Sequence, residues 1–339
     1  MFSEKETFVR RWSRRSVTIT ACYVLFFVLV ATMPIWIPLS LALGAVRRNS
    51  FSETRAFFFV THYVFCQVCG SFTCIIIWVF SGEIFGLGGK RFEEWMFWLE
   101  FTWGKAFGSG TLFIWGIRSE FEFDYEFTDK PVILFVRHAS IADTFIPLLY
   151  VCIALDMRLR YVLKRELVWD LCIDVACNRL PHLFVERGSQ DSAKEVAAIG
   201  RLVSDVGPRE GVIIFPEGTR YSEAKKARIL EKLEQGDGSE IRDWARKYER
   251  VLPPRMAGPL ALLESNPGAD AVFCAHTGLE KSSSFRESFN GGLVNTLVHV
   301  RFWGVPFEKI PEGTEARQRW LLEQWKRVDD FIIEKSEAD

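Results

Sequence analysis

Two stretches of this 339-residue chain carry residue types that can do chemistry at usable spacing. The first is RHASIADT, Arg137 to Thr144, directly after the apolar run VILFV at Val132–Val136. A carboxylate against one nitrogen of a histidine fixes the tautomer and leaves the other nitrogen as a base near neutral pH. On one continuous helix, residues five apart point about 140° apart, so His138 and Asp143 would not share a face. They meet only if His138 sits in the turn before the helix. Ser140 with Asp143 three places on also reads as a helix N-cap of the capping-box type. A capped helix that carries a histidine and a base with its orienting acid both fit, and the two are compatible.

The second stretch is GVIIFPEGTR, Gly211 to Arg220. A buried strand runs into Pro216, and Glu217, Gly218, Thr219 and Arg220 form the loop beyond its carboxyl end, where open α/β sheets bind ligands. Gly218 permits close backbone approach, and Arg220 can hold a phosphate bidentately. The bland alternative is a tight turn with a surface arginine. Other cations fall at equivalent places: Lys164 and Arg165 after RYVL, Arg187 after LFVE, and Arg255 within VLPPRMAG. Several cations beside a loop histidine point to a phosphate-bearing substrate. The chain has no GxSxG nucleophile elbow, HExxH or EF-hand loop, and GLGGKR at Gly86–Arg91 lacks the first glycine and the Ser/Thr of a P-loop.

The elements that must position these residues follow from pattern. From about residue 120, short β-branched or aromatic runs (Val132–Val136, Arg160–Lys164, His182–Glu186, Val212–Phe215, Ala271–His276, Leu297–Trp303) alternate with helical stretches such as Ser192–Val206 and Thr314–Lys335. Strands separated by helices predict an α/β domain over 120–339, with a mixed, mostly parallel sheet flanked by helices. The charge-dense stretch Ser222–Arg250, interrupted by GDGS, reads as a solvated helix with an insertion.

Ahead of that domain the composition changes. Ser16–Val46 holds no charged residue, and neither does Ala56–Gly82. Each exceeds the roughly 20 apolar residues that cross a bilayer. Residues 1–90 are therefore expected to form a membrane anchor, with segments at about 17–43 and 56–81, as two spans or one re-entrant hairpin. Pro34 and Pro38 mark a kink or break in the first. Lys5, Arg10, Arg11, Arg14 and Arg15 outnumber the cations between the segments, so the N-terminus and the α/β domain are expected on the cytoplasmic side. Residues 91–119, with Trp95, Trp98, Trp103 and Trp115 among charges, suit an interfacial amphipathic segment or a core helix of the next domain. The net charge of −1 gives no basic excess for nucleic acid. The eight cysteines, including the Cys66/Cys69 CxxC with no partner pair at zinc spacing, read as packing thiols, with no metal expected.

In chain order, His-x4-Asp at His138–Asp143, FVER at Phe184–Arg187, FPEGTR at Phe215–Arg220 and VLPPRMAG at Val251–Gly258 resemble the four blocks of the glycerolipid acyltransferases. The closest likeness is to the 1-acylglycerol-3-phosphate (lysophosphatidate) acyltransferases, over roughly residues 121–300. The PPR-x-x-G form of the fourth block is similar to the branch that includes the lysocardiolipin acyltransferases. Arg137 stands where the family usually has Asn. The resemblance implies that His138 is the general base for a lysolipid hydroxyl and that Asp143 orients it. Glu217, Gly218, Thr219 and Arg220 would bind the acceptor, with Lys164 and Arg187 as further phosphate cations. It also implies acyl-CoA or acyl-carrier protein as donor substrate and no cofactor. The oxyanion donor is not legible; backbone N–H groups near Ser140 are candidates.

Overall fold

The computed structural model describes residues 6–140, 142–186, 192–234, 239–280 and 291–338. Three helices come first: α1 (Phe8–Ala31), α2 (Met33–Arg47) and α3 (Ser52–Phe80). The first apolar segment is thus broken at Thr32. Pro34 falls in the first turn of α2, where a missing N–H leaves no intrahelical bond unmade. Across the joint, the Trp36 indole N–H donates to the Leu29 carbonyl at 3.0 Å, and its ring stacks on Phe57. Helices α1 and α3 are long and apolar enough to cross a membrane.

The third helix is not a free span. A stripe along its whole length, from Ser52 through Ala56, Val64, Gln67 and Ser71 to Ile77, is buried, while Phe65, Phe72, Ile76 and Phe80 are exposed. Close approach requires Gly70: a Cβ there would come within 2.7 Å of Cys172 Sγ. Cys66 is buried and Cys69 exposed, so the CxxC thiols face different surroundings.

Helix α4 (Gly89–Trp115) answers both expectations for residues 91–119. Phe92, Met96, Phe97, Leu99, Phe107 and Trp115 are buried, and Trp115 belongs to the core of the sheet domain. Trp95 and Trp98, on the other side, remain exposed. The four tryptophans therefore do not act as one interfacial set.

The chain then forms β1 (Arg118–Asp124), β2 (Val132–Val136), a short α5 (Phe145–Pro147) running into a π-helical turn at Leu148–Ile153, β3 (Arg158–Lys164) and α6 (Leu171–Val175). There follow β4 (Leu183–Val185), α7 (Ser192–Val203), β5 (Glu210–Ile214), α8 (Glu223–Glu234), α9 (Ser239–Lys247), α10 (Ala257–Glu264), β6 (Asp270–Thr277), β7 (Leu297–Val305) and α11 (Thr314–Ala338). The seven strands make one sheet in the order β1-β7-β6-β2-β5-β3-β4. Among the described residues only the β6–β7 pairing is antiparallel, which is the mixed, mostly parallel sheet expected.

Period-two alternation builds the core. Ile133, Phe135, Val212, Ile214, Ala271 and Phe273 face α7, α10 and α11. Val132, Leu134, Val136, Ile213, Val272 and Cys274 face Trp115, Ile146 and Ala56 on the other side. Each such Val, Ile, Leu or Phe contributes roughly 1.5–3 kcal/mol by leaving water. The parallel strands put the carboxyl ends of β2, β5, β3 and β6 on one edge.

On the side of α1 and α3, α6 is the docking point. Arg14 and Arg15 of α1 both reach Asp174 Oδ2 at 2.8 Å, and the Asp174 side chain is fully buried. Burial alone would raise that carboxyl, but hydrogen bonds from Arg15 and Arg14 hold it below its usual range. From α3, the Tyr63 hydroxyl (2.5 Å) and Gln67 amide (2.6 Å) donate to Asp170 Oδ2. Asp170 also caps α6 by accepting from Ile173 N–H. Arg14 and Arg15 are thus not loose topogenic charges; they tie the start of α1 to the sheet domain.

Candidate active site

The strand β2 ends at Val136, and His138 sits in the turn beyond it, before the 3₁₀ turn Ala142–Thr144. That bend brings Asp143 back to the ring: His138 Nδ1 lies 3.0 Å from Asp143 Oδ2. A carboxylate only accepts, so Nδ1 carries the proton and Nε2 keeps its lone pair. The same Oδ2 accepts the Ala139 N–H at 2.6 Å and the Ser140 N–H at 2.8 Å. Three donors on one oxygen hold the acid still. Asp143 is fully buried, whereas 20% of the His138 side chain is exposed, so the base is reachable and its partner is not. The Phe215 ring packs against the imidazole, with centroids 4.8 Å apart.

The capping box expected at Ser140 and Asp143 forms, with bonds in both directions. Ser140 Oγ accepts the Ala142 N–H, while Asp143 reaches back to residues 139 and 140. Those two N–H groups are consequently engaged by Asp143 and do not form the oxyanion site suggested near Ser140.

Arg137, in the position usually held by Asn, is 1% exposed. Its guanidinium donates to the His276 carbonyl (2.6 Å), to Glu280 and to the Arg250 carbonyl (3.1 Å). It therefore bolts the end of β2 to the end of β6 and to the segment before Val251. Burial would raise the Glu280 carboxyl, but the Arg137 charge overrides this and holds it at about 2.

The loop after β5 wraps around this turn. Tyr221 N–H donates to the His138 carbonyl at 2.8 Å. Glu217, expected as an acceptor ligand, is 1% exposed. Its Oε1 accepts the His138 N–H at 2.8 Å and its Oε2 the Leu252 N–H at 2.9 Å. With both oxygens engaged inside the protein, Glu217 joins three loops and does not face a ligand. Burial pushes its carboxyl up to about 8, against the Arg137 charge and the two N–H donors. Gly218 adopts φ +63°, a left-handed conformation that glycine adopts freely. Thr219 and Arg220 are partly exposed beyond it, and Lys225 Nζ donates to the Arg220 carbonyl.

Lys164 ends β3 on the same edge, two strands from β2, and pairs with Glu166 at 2.8 Å. Arg187 lies outside the described residues. Sequence reasoning missed His276, fully buried at the end of β6. Its Nε2 lies 3.0 Å from the Arg137 carbonyl and 3.6 Å from Asp143 Oδ1. The only signal was a histidine closing an otherwise apolar strand.

Glu100, Cys177 and His182 form a buried cluster away from this edge. His182 Nδ1 accepts the Tyr161 N–H at 3.1 Å, so Nε2 carries the proton and faces Glu100 at 3.1 Å. That tautomer offers no lone pair to a cation, and the cluster reads as a tie between α4 and the sheet.

A buried acid, an imidazole oriented by it, and a glycine turn carrying an arginine thus meet at the carboxyl edge of a mixed sheet. The Acyltransferase family model matches residues 118–254, from β1 to the segment after α9. Residues 118–254, which hold the His138–Asp143 turn and the loop after β5, are thus similar to that family. Curated proteins similar to it include 1-acyl-sn-glycerol-3-phosphate acyltransferase epsilon of Mus musculus, 25% identical over 185 residues, covering 52% of this chain and 49% of the relative. Lysocardiolipin acyltransferase 1 of Gallus gallus is 24% identical over 155 residues, covering 44% and 39%. The aligned part is thus half or less of each relative. Among solved structures, the crystal structure of the 1-acyl-sn-glycerophosphate (LPA) acyltransferase PlsC from Thermotoga maritima matches with a TM-score of 0.53 at 15% identity. That match covers 84% of this chain and 96% of the other, and shows a shared fold.

Proposed function

We propose that the chain is a membrane-anchored O-acyltransferase that moves an acyl group from acyl-CoA or acyl-carrier protein to the sn-2 hydroxyl of lysophosphatidate, giving phosphatidate. The observation that carries this reading is the His138–Asp143 pair, with Nδ1 committed to the acid and Nε2 open. Nε2 removes the acceptor hydroxyl proton as the oxygen attacks the thioester carbonyl. The tetrahedral intermediate collapses with cleavage of the C–S bond, and the imidazolium returns the proton to the leaving thiolate. Asp143 stabilises the imidazolium between the two steps. No acyl-enzyme forms. Arg220 holds the acceptor phosphate, with Thr219 and the Gly218 backbone beside it; Lys164 and Arg187 are further cations for phosphate.

Helices α1–α3 form the anchor, with their exposed apolar faces in lipid. An apolar recess of about 380 Å³, lined by Phe26, Val30, Met33, Phe58, Phe65 and Ile114 among others, opens between them and α4 and suits an acyl chain arriving from the bilayer. The sheet domain faces the cytoplasm. The N-terminal end of α1 lies on the same side, since Arg14 and Arg15 bind Asp174. A second acceptor reading, a larger lysophospholipid, is favoured by the relatives named lysocardiolipin acyltransferase.

The test is product mass spectrometry on membranes carrying wild type or His138→Ala. Both receive oleoyl-CoA, or an acyl-carrier-protein donor, with lysophosphatidate, lysophosphatidylglycerol, lysophosphatidylcholine and glycerol-3-phosphate. Phosphatidate from wild type alone supports the reading. A different diacyl product reassigns the acceptor, and identical products in both samples and empty membranes overturn acyl transfer.

A further inference from the structure

The cations on the carboxyl edge differ in one respect. Arg137 is buried against Glu280, Lys164 faces Glu166 and Arg165 faces Glu186. Arg255 is exposed, and among the described residues its guanidinium makes no hydrogen bond or ion pair. Its position is nevertheless fixed. The Arg255 N–H donates to the Pro216 carbonyl at 2.8 Å, which clips the fourth block onto the third. The side chain then runs across the face of Gly218. A Cβ built on Gly218 would meet Arg255 Cδ at 2.9 Å, Nε at 3.1 Å and Cζ at 3.4 Å. The glycine thus serves two purposes: it supplies φ +63°, and it leaves room for a guanidinium laid over the turn that also carries Arg220 two residues later. The one acidic side chain in that turn, Glu217, is buried and engaged by backbone N–H groups, so it does not lie against Arg255.

We propose that Arg255 is the second guanidinium of a headgroup clamp, acting with Arg220 across Gly218 to select acceptors of net negative headgroup charge over zwitterionic ones. This rests on the acyltransferase reading above. Guanidinium groups bind phosphate oxygens bidentately, and two of them match a phosphomonoester dianion. A choline headgroup would bring its own cation towards the same turn. Lysine at 255 would keep the charge and lose the fork.

The full-length chain in mixed micelles tests this with Arg255→Gln and Arg255→Lys. Steady-state kinetics would use oleoyl-CoA with lysophosphatidate or lysophosphatidylcholine, and equilibrium binding would use lysophosphatidate micelles without donor. Arg255→Gln is expected to raise the KM for lysophosphatidate about 10–100-fold. The ratio of kcat/KM for lysophosphatidate over lysophosphatidylcholine should fall by a similar factor, with Arg255→Lys between and Tm unchanged. Equal losses on both acceptors would make Arg255 a packing residue and overturn the proposal. A shift confined to the KM for acyl-CoA would move the phosphate it reads to the donor, and overturn it too. If wild type acylates neither lipid, the acyltransferase reading fails. Weaker lysophosphatidate binding by Arg255→Gln would still support the clamp, and equal binding would refute it.

Discussion

One carboxylate, that of Asp143, lies between two histidines: Oδ2 is 3.0 Å from His138 Nδ1, and Oδ1 is 3.6 Å from His276 Nε2. The two rings differ in freedom. His138 reaches solvent, whereas His276 is sealed and bound to the Arg137 carbonyl. Burial lowers the His276 imidazole below its usual range, so it stays neutral and does not compete for the acid's charge. The unfolded chain binds a proton there at higher pH than the folded one, so stability is lost as pH falls below about 6.5. Chemical denaturation between pH 5 and 8 should show a steeper acid-side loss for wild type than for His276→Gln.

Asp143→Asn is expected to lower kcat by about 10²–10⁴-fold. An amide cannot accept from the ring N–H and two backbone N–H groups through one oxygen and also stabilise an imidazolium. Because the side chain is fully buried, circular dichroism and Tm should accompany the kinetics. A kcat within about threefold of wild type in a folded variant would remove Asp143 from the mechanism.

Glu217→Gln tests the joint between loops. One of the two N–H groups, from His138 or Leu252, would face an amide NH₂ and lose its acceptor, at a cost of about 1–3 kcal/mol. The pH dependence follows from the raised carboxyl. Folded Glu217 holds its proton up to about 8, whereas an unfolded glutamate releases it near 4.3. Its contribution is therefore full below the unfolded value and lost as pH rises through 8. A Tm series from pH 5 to 9 should fall more for wild type than for the variant.

Asp174→Ala leaves the buried Arg15 without a carboxylate, while Arg14 keeps Glu6 and the Val168 carbonyl, and losing the buried partner costs about 3–5 kcal/mol. The loss should localise to the contact between α1 and α6. Limited proteolysis is expected to cut near the start of α1 in the variant and not in wild type. Unchanged cleavage would mean that α1 is held by other contacts.

The order of strands and helices was readable because parallel strands buried on both faces are continuous apolar runs, as in VILFV and VIIF. The edge strand β1, RSEFEFD, escaped because its charges alternate with phenylalanine and only its β7 side is paired. His138 and Asp143 were legible as a pair once the turn was allowed for. Glu217 was legible as important, but its direction was not: a carboxylate in a loop looks the same whether it faces solvent or two backbone N–H groups. His276 and the roles of Arg137 and Arg255 depend on contacts more than 30 residues distant along the chain, which no local pattern encodes. The break at Thr32 was marked by Pro34, whereas the docking of α3 along the domain was not, since an uncharged run such as Ala56–Gly82 does not show which of its faces is buried.

The ion pairs at Asp174 also set a schedule. Arg14 and its carboxylate partner are 160 residues apart, and a ribosome adding about 5–20 residues per second needs roughly 8–32 s to cover that distance. Through that interval α1 is complete, with Glu6 within reach of Arg14 but no carboxylate yet made for Arg15. The pairing of both arginines with Asp174 comes only when α6 emerges, so the first element made is among those fastened later.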